Sequence, residues 1–160
     1  MILAFCITLT VSILSLFLFH IYKRKFSTFY LMLLFLLTSY LCQNTYYKLF
    51  SPYERISIAD SMWAKISIKL HFGIILPVLL IGIIFLFLSN NTFIKISSII
   101  AWAAFVAASE MFYLSLGVLE QKGEHWYPFI DIAFAFIVVF VTFVIKKYLK
   151  RLMMKERLQP

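Results

Sequence analysis

Three side chains in this 160-residue chain join proton-exchange chemistry to strongly apolar surroundings: Glu110, His71 and Asp131. Glu110 is the only charge in "AWAAFVAASEMFYLSLGVL", residues 101–119, a run otherwise built from apolar, small or hydroxyl side chains. His71 opens "HFGIILPVLLIG", and Asp131 follows Pro128 by three residues. Gln43 and Asn44 add two amides at the end of another apolar run. Two carboxyls and an imidazole can exchange a proton, hold a polar ligand or ligate a first-row metal. The metal reading lacks spacing, because no H-x-x-x-H or H-x-x-E pattern sets two ligands on one face of one helix. No metal and no cofactor is therefore expected. Cys6 and Cys42 stand singly in apolar runs and read as small apolar residues; a disulfide between them is conceivable but unsupported. No phosphate loop, Walker motif or H-E-x-x-H occurs, so no catalytic residue and no enzyme signature can be named.

Composition dictates the elements that carry these groups. The chain is 63% hydrophobic and 19% aromatic, with 14% charged residues and a mean hydropathy of +0.94. Soluble domains hold about 45–50% apolar and about 25% charged residues, so this chain is expected to be an all-α, polytopic integral membrane protein. A net charge of +8 would point to nucleic acid in a soluble protein. Here the basic residues sit in short clusters beside apolar runs, which reads as control of topology, and no nucleic acid partner is expected.

Five stretches approach the roughly 20 apolar residues that a bilayer core of about 30 Å demands. They run approximately 2–22, 27–46, 69–88, 96–118 and 128–146, as one transmembrane domain over 1–146, followed by a basic cytoplasmic tail, 147–160. Their length without strict alternation predicts helices and not barrel strands. The first lacks a basic segment before it and an A-x-A site after it, which favours an uncleaved span over a signal peptide. With the N-terminus outside and the C-terminus inside, ten of the fifteen Lys and Arg residues fall on inner segments, as the positive-inside rule requires. Lys23, Arg24, Lys25 and Lys95 are among these ten.

A rise of about 1.5 Å per residue gives each polar group a depth. Gln43, Asn44, His71 and Asp131 are expected roughly 3–5 Å below the outer surface, and Glu110 roughly 12 Å. That would separate Glu110 from Asp131 by roughly 7 Å. His20 falls near the inner basic cluster and His125 in the outer loop. The polar groups gather in the outer half, pointing either to a polar pocket open outward or to helix ends solvated by headgroups and water. Asp131 is also favoured by the helix dipole after Pro128. An ionised carboxylate at the depth of Glu110 is expensive. Without a cation at its level it is expected to clasp a neighbouring helix through Thr8, Thr10, Ser39, Tyr40 or the Gly73 carbonyl, or to work by exchanging a proton.

The mechanics of the spans add further expectations. In "SPYERISIADSMWAKISIKLH", Ser51 and Pro52 resemble a helix start, and Ile56, Ala59, Trp63, Ile66 and Leu70 recur at helical spacing. This reads as an interfacial helix leading into the third span, or as a lid over what lies beneath. Trp126 and Tyr127 read as interface anchors. Pro77 lacks an N–H, so it is expected to kink the third span and free the Gly73 carbonyl. Ala103, Ala104, Ala107 and Ala108 allow a helix to approach the fourth span closely, and Glu110 shares a stripe with Ala103 and Ala107, facing a neighbouring helix.

Basic residues leading into "KFSTFYLMLLFLLTSYLCQNTYY", then "AWAAFVAASE", then "GEHWYPFID", resemble a family of small, uncharacterised five-span membrane proteins of spore-forming Gram-positive bacteria. The resemblance covers roughly residues 23–150. Trp102 and Glu110 match the Trp and Glu of the family's fourth span, and Trp126 matches a Trp after the next turn. Ser27 stands where the family tends to have Pro, and His125 and Tyr127 where Gly and Asn are usual. The resemblance implies the five-span architecture in a bacterial cell membrane and a role for Glu110, and brings no activity with it.

Two functions are expected, the first ranked ahead of the second. One is an accessory or structural protein that meets another membrane protein, or a second copy of itself, through the small-residue face of the fourth span. The other is a small ligand-, ion- or proton-binding protein or transporter with an outward pocket centred on Glu110. Five helices without discontinuous helices or inverted repeats are few for a complete carrier.

Overall fold

The computed structural model describes residues 1–50, 56–122 and 128–155, with the side chains of 46–50 and 128 outside that description. The expectations for Ser51, Pro52, His125, Trp126 and Tyr127 lie outside the described residues. The order is α1 (Ile2–Tyr22), α2 (Thr28–Phe50), β1 (Ile56–Ile58), α3 (Met62–Leu70), a π-turn (His71–Ile75), α4 (Leu76–Leu86), α5 (Thr92–Ser115), β2 (Leu119–Gln121) and α6 (Pro128–Lys155). The protein is helical, and among the described residues four helices are long and apolar enough to cross a membrane: Ile2–Tyr22, Met62–Leu86, Thr92–Ser115 and Phe129–Lys155. It is a membrane protein by that measure.

The α3–α4 helix is the centre of the bundle. Protein covers 61% of its most apolar stretch, against 22%, 11% and 28% in the other three. α1 lies against it along Ala4, Thr8, Ser12 and Ser15, which are small and buried and so permit close approach. Two of the hydroxyls are satisfied inside the helix, Thr8 donating to the Ala4 carbonyl and Ser12 to that of Thr8, each at 2.8 Å. α2 starts at Ser27, whose Oγ accepts from the Tyr30 N–H at 3.4 Å as an N-cap does. It packs on the π-turn, α4 and α6. α5 starts at Asn91, whose side chain accepts from the Phe93 N–H at 2.9 Å. Trp102 on α5 ties it to α6 by donating from Nε1 to the Ala135 carbonyl at 3.2 Å.

The third span differs from its sequence expectation at both its start and its middle. It begins at Met62, not 69, because the stretch that looks interfacial runs straight into the bundle, with Ala64, Ser67 and Ile68 buried. Residues 56–58 are a strand, so the helical spacing of Ile56 with Ala59 does not make a helix there. Just before Pro77 the chain widens into a π-turn, the Leu76 N–H reaching the His71 carbonyl five residues back. Serine supplies what proline cannot: Ser39 Oγ donates to the Gly73 carbonyl at 2.8 Å. Cys6 is exposed and Cys42 buried, both as free thiols.

α5 ends in a Schellman motif. Gly117 sits at φ 65°, its N–H bonds the Leu114 carbonyl, and the Val118 N–H bonds the Tyr113 carbonyl. This turns the chain into β2, which pairs antiparallel with β1 in the register Ile56↔Gln121, Ser57↔Glu120 and Ile58↔Leu119. Ile56, Ala59, Val118 and Leu119 bury against Ala4, Ala64, Ile68 and Tyr113, closing this end of the bundle. At the opposite end Tyr22, Tyr30, Leu149 and Met153 form a second cluster. There α6 continues to Lys155, nine residues past its expected end at 146, because Leu149 and Met153 are buried in that cluster between exposed basic side chains.

Candidate functional site

The strand-capped end holds a small cavity, mostly apolar in its wall, that ionisable side chains border. It is lined by His71 at the head of the π-turn, by Ser109, Glu110 and Tyr113 on α5, and by Asp131 in the first turn of α6. Phe72, Leu76, Val106 and Leu119 complete the wall. Leu119 belongs to β2, so the strand pair forms part of the roof. The space open to the centre of a water molecule is about 30 Å³, enough for about two waters, since one needs roughly 10–15 Å³ by this measure. It is too small for an organic ligand, which takes roughly 300 Å³ or more. Asp131 also borders a second void of about 30 Å³ beside Cys42, Thr45 and Trp102.

The three ionisable groups are deeply held. Glu110 is 8% exposed, His71 3% and Asp131 1%. The His71 ring is fixed by aromatic neighbours: stacked on Phe105 at 6.1 Å and edge-on to Phe72 at 5.2 Å and Tyr113 at 5.1 Å. Tyr113 is fixed in turn by a hydrogen bond between its hydroxyl and Thr8 Oγ1 at 3.0 Å, which links α1 to the cavity wall. Both Glu110 and Asp131 make further polar contacts. Among the described residues no group of three His, Cys, Asp or Glu comes close enough to hold a metal ion.

Of the five residues singled out from the sequence, the structure brings His71, Glu110 and Asp131 to one cavity. Gln43 and Asn44 do not line it. Gln43 is exposed and reaches Ser39 Oγ at 3.4 Å, beside the π-turn; Asn44 donates to the Tyr40 carbonyl at 2.9 Å. The roughly 7 Å offset expected between Glu110 and Asp131 does not keep them apart, because α5 ends at Ser115, three residues before the expected end of that span, which brings Glu110 nearer its helix end. His71 lies nine residues into its helix, about 13 Å, where a start at 69 had placed it near the surface. Among the candidate clasp partners, Ser39 is committed to Gly73, Thr10 to the Cys6 carbonyl, and Tyr40 is 71% exposed. Tyr113 was not foreseen; its signal is its place three residues after Glu110, on the same helix face.

No protein-family model, curated protein or solved structure matches the chain.

Proposed function

We propose that the chain is a five-span protein of a bacterial plasma membrane, N-terminus outside and C-terminus inside, whose His71–Glu110–Asp131 cavity binds and releases a proton. The observation that carries the site is the convergence of an imidazole and two carboxyls from three helices on a cavity of water dimensions. Such a volume admits a proton on water and excludes metabolites. The fifth span is α2: it leaves the basic end at Thr28, its chain returns as β1 at the strand-capped end, and it packs on the π-turn and α4 between them. The orientation rests on the basic residues of the Tyr22–Leu149 end. Proton uptake by the purified protein after a pH step, read with an indicator dye in weak buffer, tests the site. Glu110→Gln should take up fewer protons than wild type, and equal uptake contradicts the proposal.

A second reading is favoured by one surface. Ala101, Ala104 and Ala108 lie exposed on α5, the least covered of the four apolar helices. This small-residue face supports an accessory role in which α5 packs on another membrane protein or a second copy of the chain. Replacing Ala108 with Trp should abolish such association in crosslinking experiments while leaving proton uptake intact.

A further inference from the structure

At the basic end a lateral cleft opens between α1 and α5, both of which pack on α4. It measures about 360 Å³, and its walls include Tyr22, Gly82, Ile83, Ser98, Ala101 and Trp102. Gly82 makes the floor: a Cβ there would lie 2.6 Å from the Tyr22 hydroxyl, so the glycine is what lets that ring lie across α4. The polar atoms of the wall are largely committed. Ser98 Oγ donates to the Lys95 carbonyl at 2.8 Å, and Trp102 Nε1 donates to Ala135. What remains for an occupant is hydrocarbon contact.

The volume decides which occupant. A helix about 10 Å across would fill 360 Å³ in less than one turn of about 5.4 Å, so the cleft is too small to enclose a partner helix. It lies instead within the roughly 300–1,000 Å³ of small-ligand clefts. Three cations adjoin its wall residues along the chain. Lys23 and Arg24 directly follow Tyr22 and are exposed, and Lys95 precedes Ser98 by about one helical turn. A hydrocarbon slot whose wall residues adjoin three cations along the chain matches an anionic phospholipid, with the slot for an acyl chain and the cations for the phosphate. We infer that this cleft is a phospholipid site, taking one acyl chain along Gly82, Ala101 and Trp102 and an anionic headgroup at Lys23, Arg24 and Lys95.

The test uses the full chain in detergent, mixed with phosphatidylglycerol or phosphatidylcholine, with bound lipid counted by native mass spectrometry. Wild type should hold one phosphatidylglycerol per chain, about tenfold more tightly than phosphatidylcholine, a preference that three cations near a headgroup can supply. Ala101→Trp fills the cleft and should release both lipids. Val144→Trp, on the exposed face of α6 and outside the cleft, should retain them, which separates filling from a general effect of a bulky substitution. The triple variant Lys23→Gln, Arg24→Gln and Lys95→Gln should keep an acyl chain and lose the headgroup preference. Retention by Ala101→Trp equal to wild type overturns the site. So does equal binding of the two lipids by wild type, or a lipid-free oligomer.

Discussion

Ser39 Oγ and the Gly73 carbonyl meet at 2.8 Å, across two helices, at the place where Pro77 removes a backbone donor. α2 can come this close because Gly73 has no side chain; a Cβ there would stand 3.0 Å from Gln43 Nε2. Ser39→Ala should destabilise the protein by about 0.5–2 kcal/mol, the range of interhelical hydrogen bonds in membranes. Pro77→Ala restores an N–H able to serve the same carbonyl, so the loss from Ser39→Ala should shrink in that background. Strict additivity in this double-mutant cycle, measured by unfolding in mixed micelles, would contradict the account.

Gly117 closes α5 at φ 65°, with open space around the position of a Cβ. Gly117→Ala therefore meets only the backbone penalty, about 1 kcal/mol. The loss should appear as faster hydrogen exchange at Ala59, whose N–H bonds the Val118 carbonyl just beyond the paired strands. Unchanged exchange there would show that the turn does not hold the strand pair.

Asp60, just before α3, and Lys65, in its first turn, form an exposed ion pair at 2.6 Å. The hydrogen bond from Lys65, and then its charge, hold the Asp60 carboxyl below the ordinary carboxylate range. A lowered folded-state value means that any stabilisation is present above the unfolded value and fades as pH falls through the folded one. Exposure screens the pair, so Asp60→Asn should leave thermal stability at neutral pH unchanged. A clear drop would give this pair a structural role that its exposure argues against.

Single cysteines in a background lacking Cys6 and Cys42 test the threading. Asp60→Cys and Gln121→Cys should react with an impermeant maleimide on intact cells. Lys25→Cys, Lys95→Cys and Lys155→Cys should react only after lysis. Labelling of Lys25 and Asp60 from the same side would remove α2 as a span, and external labelling of Lys155 would reverse the orientation.

The helices were legible because apolar runs of this length have one solution in hydrocarbon. The freed Gly73 carbonyl was legible from Pro77 alone, since a missing N–H is a local fact. Its form was not: the π-turn inserts a residue whose place depends on packing against Ser39 and Gln43. The pairing of Ile56 with Gln121 joins residues far apart in sequence, and three-residue strands leave no periodic signature. Met62–Leu70 carries Lys65 and Lys69, which made a spanning segment read as an interfacial one and set His71 too shallow. The same error hid how closely His71, Glu110 and Asp131 share a cavity. Glu110 itself stood out because a lone carboxyl in an apolar helix must be housed by something.

Whether Glu110 exchanges a proton is read most directly from pH-difference infrared spectra of wild type and Glu110→Gln. Wild type should show a carboxyl C=O band that changes with pH and shifts in D₂O. Glu110→Gln should lose that band while keeping its helix content and thermal stability. Identical difference spectra for the two proteins, with Glu110→Ala less stable than both by about 1–2 kcal/mol, would make Glu110 a clasp between helices and not a proton site.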